Sequence, residues 1–369
     1  MPSSASKLGL VLPAGGARAA YQVGVLREIA LRYPEFAPKI FCGISAGSIN
    51  AAFLAQGEPI QQACDHLYEL WQKLQFTEVM RTNFSSLFQM FARWGYDLFL
   101  SKVTRRLKLN SLLDASPLGQ TLLSHIRFSR ISRSIENGTI IGLAVTATNY
   151  HTGMCTIFFE TNQDTPEWRR EGRMGNRAFI RARHIMASCS IPILFEPVHI
   201  GDSLYGDGSL RFNYPFSPCI HMGATHVLAV GIRAPIPVIP RVETKPASHL
   251  SMGFIAGAVL NSIFLDSLET DYEHLVRLNQ ETGSGGSLRN VKALLIRPST
   301  DLGMMAKDYL HEVPFHFRQL LKSVANPEEL GDLLSYLMFS PGYINALLEL
   351  GKKDAAAQED AIKEFVKTL

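Results

Sequence analysis

Along the chain the apolar positions change period several times. "LGLVLP" (8–13) is a continuous apolar run closed by the turn "AGGAR" (14–18), and it reads as a buried strand. In "AAYQVGVLREIALRY" (19–33) the apolar positions Tyr21, Val25, Leu26 and Ile29 fall on one helical stripe. A second short run, "KIFCGI" (39–44), ends in Gly43-Ile44-Ser45-Ala46-Gly47, and an alanine-rich segment with helical spacing follows. This order of strand, loop, helix, strand, tight turn and helix predicts the opening of a parallel α/β sheet.

Residues 58–135 read as mainly helical and rich in Phe and Leu. "TIIGLAVTATN" (139–149) and "MCTIFFE" (154–160) predict a hairpin around "YHTG", and a basic segment (168–184) leads into "IMASCSIPILFEPVHI". Next come "SLYGDGSL" (203–210) and two strand-like runs, "THVLAVGI" (225–232) and "VKALLIRP" (291–298). Between those runs lie the proline-rich "RAPIPVIPR", a helical stretch over 247–281, and "ETGSGGSLRN" as a flexible connection. The expected organisation is one elaborate domain over 1–350. Its core motifs fall at 8–232, with a cap-like helical region at 84–135 and a helical insertion at 233–290. A polar helix or tail (351–369) ends the chain.

Composition narrows the class. Apolar residues at 46% and charged residues at 19% of 369 exclude a disordered or fibrous chain. A net charge of +3 does not argue for nucleic acid. The mean hydropathy of +0.06 is high for a freely soluble enzyme and suggests apolar surface for a membrane or lipid. Five scattered cysteines without a C-x-x-C read as reduced thiols in a cytosolic setting. The N-terminal apolar run is too short for a secretory signal, and "MGFIAGAVLNSIFL" (252–265) falls short of the ~18 residues of a span. The expected location is cytoplasmic, with peripheral attachment to a membrane left open.

The chemistry centres on "GISAGS" (43–48). G-x-S-x-G can hold a serine nucleophile on a strand-to-helix turn, although the same residues also suit a plain turn in which Ser45 caps the helix. A nucleophilic serine needs a base and donors for the developing oxyanion. Gly15 and Gly16 end the first strand just before a helix, where backbone N–H groups attract negative charge. The loop lacks G-x-G-x-x-G and Gly-Lys-Ser/Thr, so neither a dinucleotide nor a P-loop reading fits.

The elbow comes within the first 45 residues, too early for the usual α/β-hydrolase order of Ser, acid and His. His311 and His316 flank a proline, and His221 and His226 close a helix and open a strand, as structural histidines do. No H-E-x-x-H or paired Cys/His cluster points to a metal, and no cofactor is expected. The remaining base candidate is Asp207 in "YGDGSL", with an ordinary Asp-Gly hairpin turn as its bland alternative.

"AGGAR", "GISAGS", "ASCSIPILFEPV" and "YGDGS", in this order over about 7–232, together resemble the patatin-like phospholipases. The resemblance implies a three-layer α/β/α fold with a mainly parallel central sheet and an extended helical C-terminal region. It also implies a lipid acyl hydrolase that uses a Ser–Asp dyad. By position Ser45 would be the nucleophile and Asp207 the base, with Gly15, Gly16 and the Ala17 amide forming the oxyanion hole. Arg18, Gly43, Gly47 and Gly208 would support these motifs, Arg18 either by anchoring its loop or by meeting substrate. The chain departs from the family pattern at Ala14 and Ala19, where glycines are usual, and at Ser209, where Gly or Ala is usual.

Two segments bear on substrate. "FSSLFQMFARWGYDLFL" (84–100) suits a cap over an acyl pocket, an interfacial helix or a plain core helix. The segment 168–183 holds six arginines against Glu167 and Glu171, and suits anionic headgroups or a solvated, ion-paired face. The expected partners are a lipid substrate and a membrane surface, without nucleic acid, and the oligomeric state stays open, a homodimer included. The leading expectation is release of fatty acids from phospholipids or lysophospholipids through an acyl-serine intermediate. Its rivals are acyltransferase or thioesterase chemistry on the same dyad, and a non-catalytic lipid-binding regulator.

Overall fold

The computed structural model describes residues 6–81, 111, 113–235, 252–281, 290–315, 318–319 and 331–369. The aromatic segment 84–100, the proline-rich loop from 236 and the connection 282–289 lie outside the described residues. Along the chain come β1 (Leu8–Leu12), α1 (Ala19–Arg32), β2 (Ile40–Ile44), α2 (Ala46–Leu54), α3 (Ile60–Lys73) and α4 (Phe76–Val79). Then follow α5 (Ser116–His125), α6 (Phe128–Glu136), β3 (Gly142–Asn149), β4 (Cys155–Thr161), β5 (Trp168–Arg170) and β6 (Arg173–Arg177). After α7 (Ala182–Ser188) come β7 (Val198–Ile200), β8 (Ser203–Asp207), α8 (Ser217–His221) and β9 (His226–Val230). The chain closes with α9 (Met252–Glu281), β10 (Lys292–Ile296), α10 (Leu302–Asp308), α11 (Gly331–Leu337), α12 (Pro341–Ala357) and α13 (Glu359–Val366).

The continuous apolar runs form the inner strands, as strands covered on both faces require. β10, β9, β1, β2 and β3 lie side by side in parallel, and every residue of β1, β2 and β9 is buried. β4 returns antiparallel to β3 as the expected hairpin, and the β6–β5 hairpin completes that edge. Helices flank the sheet, so the mostly parallel α/β architecture expected from the sequence is the one observed. Side chains such as Leu10, Leu12 and Ile40 are fully buried, each contributing about 1.5–3 kcal/mol.

One detail of register builds the site. β3 is longer than β2, so its first five residues pair with β2, up to Thr146 opposite Ile44. Its last three pair with β8, which runs the other way and sets Asp207 opposite Ala147. β8 therefore continues the sheet where β2 stops, and the end of one strand meets the end of the other.

The chain's last part packs against the first. The Tyr21 hydroxyl in α1 donates to Asp354 Oδ2 in α12 at 3.1 Å, and the Ser299 amide donates to the same oxygen at 2.8 Å. Residues 351–369 form the end of α12 and all of α13, with Asp354, Ile362, Phe365 and Val366 buried.

Candidate active site

Ser45 is the single residue between β2 and α2, and its backbone sits at φ 51°, ψ −131°. Positive φ in a residue with a Cβ stores about 1–3 kcal/mol and persists only where the surroundings impose it. Here they do. The Ser45 amide donates to Ser188 Oγ at 2.8 Å, and that hydroxyl donates onward to the Thr146 carbonyl at 2.6 Å. The Ser45 carbonyl accepts from the Ser48 amide at 2.8 Å and from the Ser48 hydroxyl at 2.6 Å. Gly47 lets α2 start against β1: a Cβ there would lie 2.1 Å from the Leu12 carbonyl oxygen. Gly43 faces the Ser48 backbone across the same turn. The Ser45 side chain makes no capping hydrogen bond to α2, so the plain-cap alternative does not describe it.

Asp207 ends β8 with no exposed surface. The residues after it form a short 3-10 turn (Gly208–Leu210) rather than a hairpin turn. Its Oδ1 accepts from the Ser209 amide at 2.9 Å and from the Ser209 hydroxyl. Oδ2 completes no hydrogen bond. Burial pushes this carboxyl up to about 6, against the pull of the Ser209 and Ser45 hydroxyls and the Ser209 amide. The Ser45 hydroxyl is thus near enough to stabilise the carboxylate, and Oδ2 keeps acceptor capacity. Gly208 lets the chain turn against the Thr146 carbonyl, 2.2 Å from where its Cβ would be.

The turn after β1 approaches from the neighbouring strand. Gly15 is extended and faces the Ile232 side chain, and Gly16 (φ 53°) opens the 3-10 turn Gly16–Arg18. Amides that open such a turn have no acceptor within it, and of this turn Gly16 reaches the cavity wall. Arg18 is buried and does not line the cavity that this turn meets.

Gly16, Ser45 and Ala46 line a cavity of about 730 Å³, its open mouth included. Its wall is almost wholly apolar, with Ile49, Trp71, Leu122, Ile126, Phe195 and Phe339 among its residues. Cys189 also lines it. Burial and the Asp207 charge push that thiol up, with the Ser48 and Ser45 hydroxyls pulling the other way, so it is a neutral wall beside the serine. Ile193, between the cavity residues Ile191 and Phe195, is 75% exposed and holds φ 70°.

The arginine-rich stretch divides by role. Arg177 is structural: its guanidinium donates to the carbonyls of Thr161, Gln163 and Thr165. Arg173 lies 3.7 Å from the centre of the Tyr214 ring, and Arg169 and Arg170 are exposed on β5. His221 stacks on Trp168 and His226 packs edge-on to Phe365, the structural parts expected of them. His311 is exposed on a 3-10 turn, and His316 lies outside the described residues. Among the described residues no three His, Cys, Asp or Glu gather as a metal site, and no helix is long and apolar enough to cross a membrane.

Sequence reasoning singled out "ASCSIP" without assigning Ser188, whose hydroxyl links Ser45 to β3. It also missed Tyr336 and Leu337 of α11, which line the cavity from far along the chain and belong to no motif.

The fold and site thus define an α/β protein with a strained serine on the wall of an apolar cavity and a buried carboxyl beside that serine. The patatin-like phospholipase family model matches residues 10–220, more than half of the chain, and the chain belongs to that family. An uncharacterised protein of Acanthamoeba polyphaga mimivirus is 25% identical over 211 residues, 56% of this chain and 60% of the viral protein. The chain thus spans about three fifths of that relative's length. VipD from Legionella pneumophila is similar at 15% identity and TM-score 0.36, covering 94% of this chain and 67% of VipD. Human GIVD cytosolic phospholipase A2 in complex with methyl gamma-linolenyl fluorophosphonate is 14% identical, with TM-score 0.45 over 98% of this chain and 59% of that protein. With TM-scores below 0.5, these two structures add nothing to the fold described above.

Proposed function

We propose that this protein is a lipid acyl hydrolase that releases fatty acids from phospholipids or lysophospholipids through Ser45 and Asp207. The observation that carries this reading is the buried Asp207 carboxyl with Oδ2 unsatisfied, next to a strained serine that opens onto an apolar cavity. Strain and an unpaired buried acceptor both cost stability, and both serve a reaction that starts by moving a proton from Ser45 to Asp207.

Ser45 Oγ attacks the ester carbonyl while Asp207 Oδ2 takes its proton. The carbonyl oxygen becomes an oxyanion that the Gly16 and Ala17 amides receive, with Gly15 shaping the turn. Collapse of this intermediate breaks the ester bond and sends the proton to the departing alcohol oxygen. An acyl-Ser45 remains, its chain in the cavity. Water, deprotonated by Asp207, adds to the acyl carbon, and the fatty acid leaves as Ser45 regains its proton. An ordinary carboxylate is far too weak a base for serine, and raising its pKa to about 6 narrows that gap. Ile193, exposed between two residues of the cavity wall in a conformation unfavourable for a β-branched residue, supports action at a lipid surface.

The test is labelling by an alkyl fluorophosphonate, read by intact mass and peptide mapping, beside fatty-acid release from phospholipid vesicles. Wild type labels at Ser45 and releases fatty acid. Ser45→Ala does neither, and Asp207→Asn slows both by at least about 1,000-fold. A folded wild type that leaves Ser45 unlabelled with vesicles present sinks the reading.

A further inference from the structure

The turn that opens onto the cavity is held from outside the family-matched segment. Arg18 closes that turn and is 2% exposed. Its Nε donates to Ser335 Oγ at 2.8 Å, and Nη2 donates to Asp332 Oδ1 at 3.1 Å. The guanidinium lies 4.2 Å from the centre of the Tyr336 ring. All three partners belong to α11, more than 300 residues along the chain. Contact continues at the backbone: a Cβ on Gly16 would lie 2.1 Å from the Tyr336 carbonyl oxygen, so the turn rests directly on the helix. α11 is itself fixed, because the Tyr336 hydroxyl donates to Asn261 Oδ1 of α9 at 2.8 Å.

We propose that Arg18 is a positioning residue, and that α11 acts through it as the clamp that aims the Gly16 and Ala17 amides at Ser45. The proposal rests on the reading of Ser45 as nucleophile and of this turn as the oxyanion site. Arg18 is absent from the cavity wall, and its Nε, its Nη2 and its flat face are all engaged by α11. Arginine suits this role because one planar fork reaches Ser335 and Asp332 together while stacking on Tyr336, which a lysine cannot reproduce. Losing Asp332 would leave a buried guanidinium without its charge partner and free it to move. Oxyanion donors tolerate little movement, since a displacement of about 1 Å can slow a reaction about 100-fold. Tyr336 and Leu337 also line the cavity, so one helix sets both the donors and part of the acyl wall.

The test separates donor alignment from cavity integrity. One measurement is the rate at which an alkyl fluorophosphonate modifies Ser45, where the Ser45 Oγ–phosphorus bond forms as fluoride leaves and the phosphoryl oxygen seats among the donors. The other is the dissociation constant of a fluorescent fatty acid, which needs the apolar wall alone. Arg18→Lys, Asp332→Asn and Ser335→Ala are compared with wild type. Arg27→Ala, which removes an ion pair between α1 and α3, serves as a control, and thermal unfolding is followed for all. The expected result is labelling and kcat about 10- to 100-fold slower in Arg18→Lys and Asp332→Asn, and about 10-fold slower in Ser335→Ala. KM and fatty-acid affinity stay within about 2-fold of wild type. Ser335→Ala removes one hydroxyl and keeps the helix, so it reports even where an Arg18 variant misfolds. Wild-type rates in all three variants overturn the clamp. So does a parallel loss of labelling and fatty-acid binding, which would make the cluster merely structural. A wild type that binds fatty acid but does not label at Ser45 overturns the nucleophile reading, and the clamp with it.

Discussion

The turn after β2 and the turn after β1 both line the cavity, yet they are held by different parts of the chain. The Ser45 turn is fixed by Ser188, by Thr146 of β3 and by its own α2, all within the family-matched residues. The Gly16 turn leans on α11, which the family match does not reach. Backbone strain therefore sits where the sheet itself can impose it. The donors of the proposed oxyanion site lean on a helix more than 300 residues along the chain. Damage near β2 should destroy the fold and site together, whereas damage at α11 should spare binding and weaken the reaction.

Gly47→Ala is the hardest break on the β2 side. Its Cβ would fall 2.1 Å from the Leu12 carbonyl oxygen and 2.5 Å from that of Pro13, both backbone atoms with no side chain able to yield. Separating α2 from β1 should cost about 4 kcal/mol or more. A large fall in melting temperature, together with loss of both Ser45 labelling and fatty-acid binding, is expected. A Gly47→Ala protein that melts like wild type would show that this turn is not sterically locked.

Asp207→Asn tests the electrostatic stress on the same side. The folded pKa of about 6 lies above the ordinary 3.8, so the burden falls on the ionised form. Below about pH 3.8 the carboxyl is protonated in both folded and unfolded chains, and its contribution to stability is intact. As pH rises through 6 the folded state must hold a buried charge, and that contribution is lost, up to about 3 kcal/mol. Asp207→Asn should therefore melt above wild type at pH 8, with the gap closing toward pH 4. Melting curves across that range check it; a variant no more stable than wild type at pH 8 would mean that the carboxylate is better solvated than its burial suggests.

Much of the β2 side was legible in the sequence because its determinants are local or carried by motifs. Continuous apolar runs marked β1 and β2, the small residues around Ser45 marked the elbow, and the paired glycines around Asp207 marked a turn. The in-line meeting of β2 and β8 was not legible, since it follows from β3 being three residues longer than its pairing with β2. Nor was the fate of the arginine-rich stretch: whether an arginine is solvated or, like Arg177, tied to backbone carbonyls depends on how the chain folds around it. For Arg18 the sequence left anchoring and substrate contact equally open. Its partners Asp332, Ser335 and Tyr336 lie in a helix with no sequence signal linking it to the glycine turn.

The smallest expected effect separates the two sides most cleanly. Ser209 stands where the family usually has Gly or Ala, and its hydroxyl donates to Asp207 Oδ1 beside its own amide. A donor to the ionised form lowers a carboxyl's pKa, so the hydroxyl keeps Asp207 from rising further above 6. In Ser209→Ala the amide bond remains and the hydroxyl bond is lost, so the pKa should rise. A base works only when ionised, so the acid limb of kcat/KM against pH should move to higher pH, with the plateau near pH 8 within about 2-fold of wild type. Arg18→Lys should do the reverse, lowering the plateau and leaving the limb in place, because aiming the donors does not change the protonation of Asp207. A limb that stays put or moves to lower pH in Ser209→Ala would remove the Ser209 hydroxyl from the control of the base. A limb that moves in Arg18→Lys would mean that the two turns are coupled through Asp207, and that the clamp reaches further than the oxyanion donors.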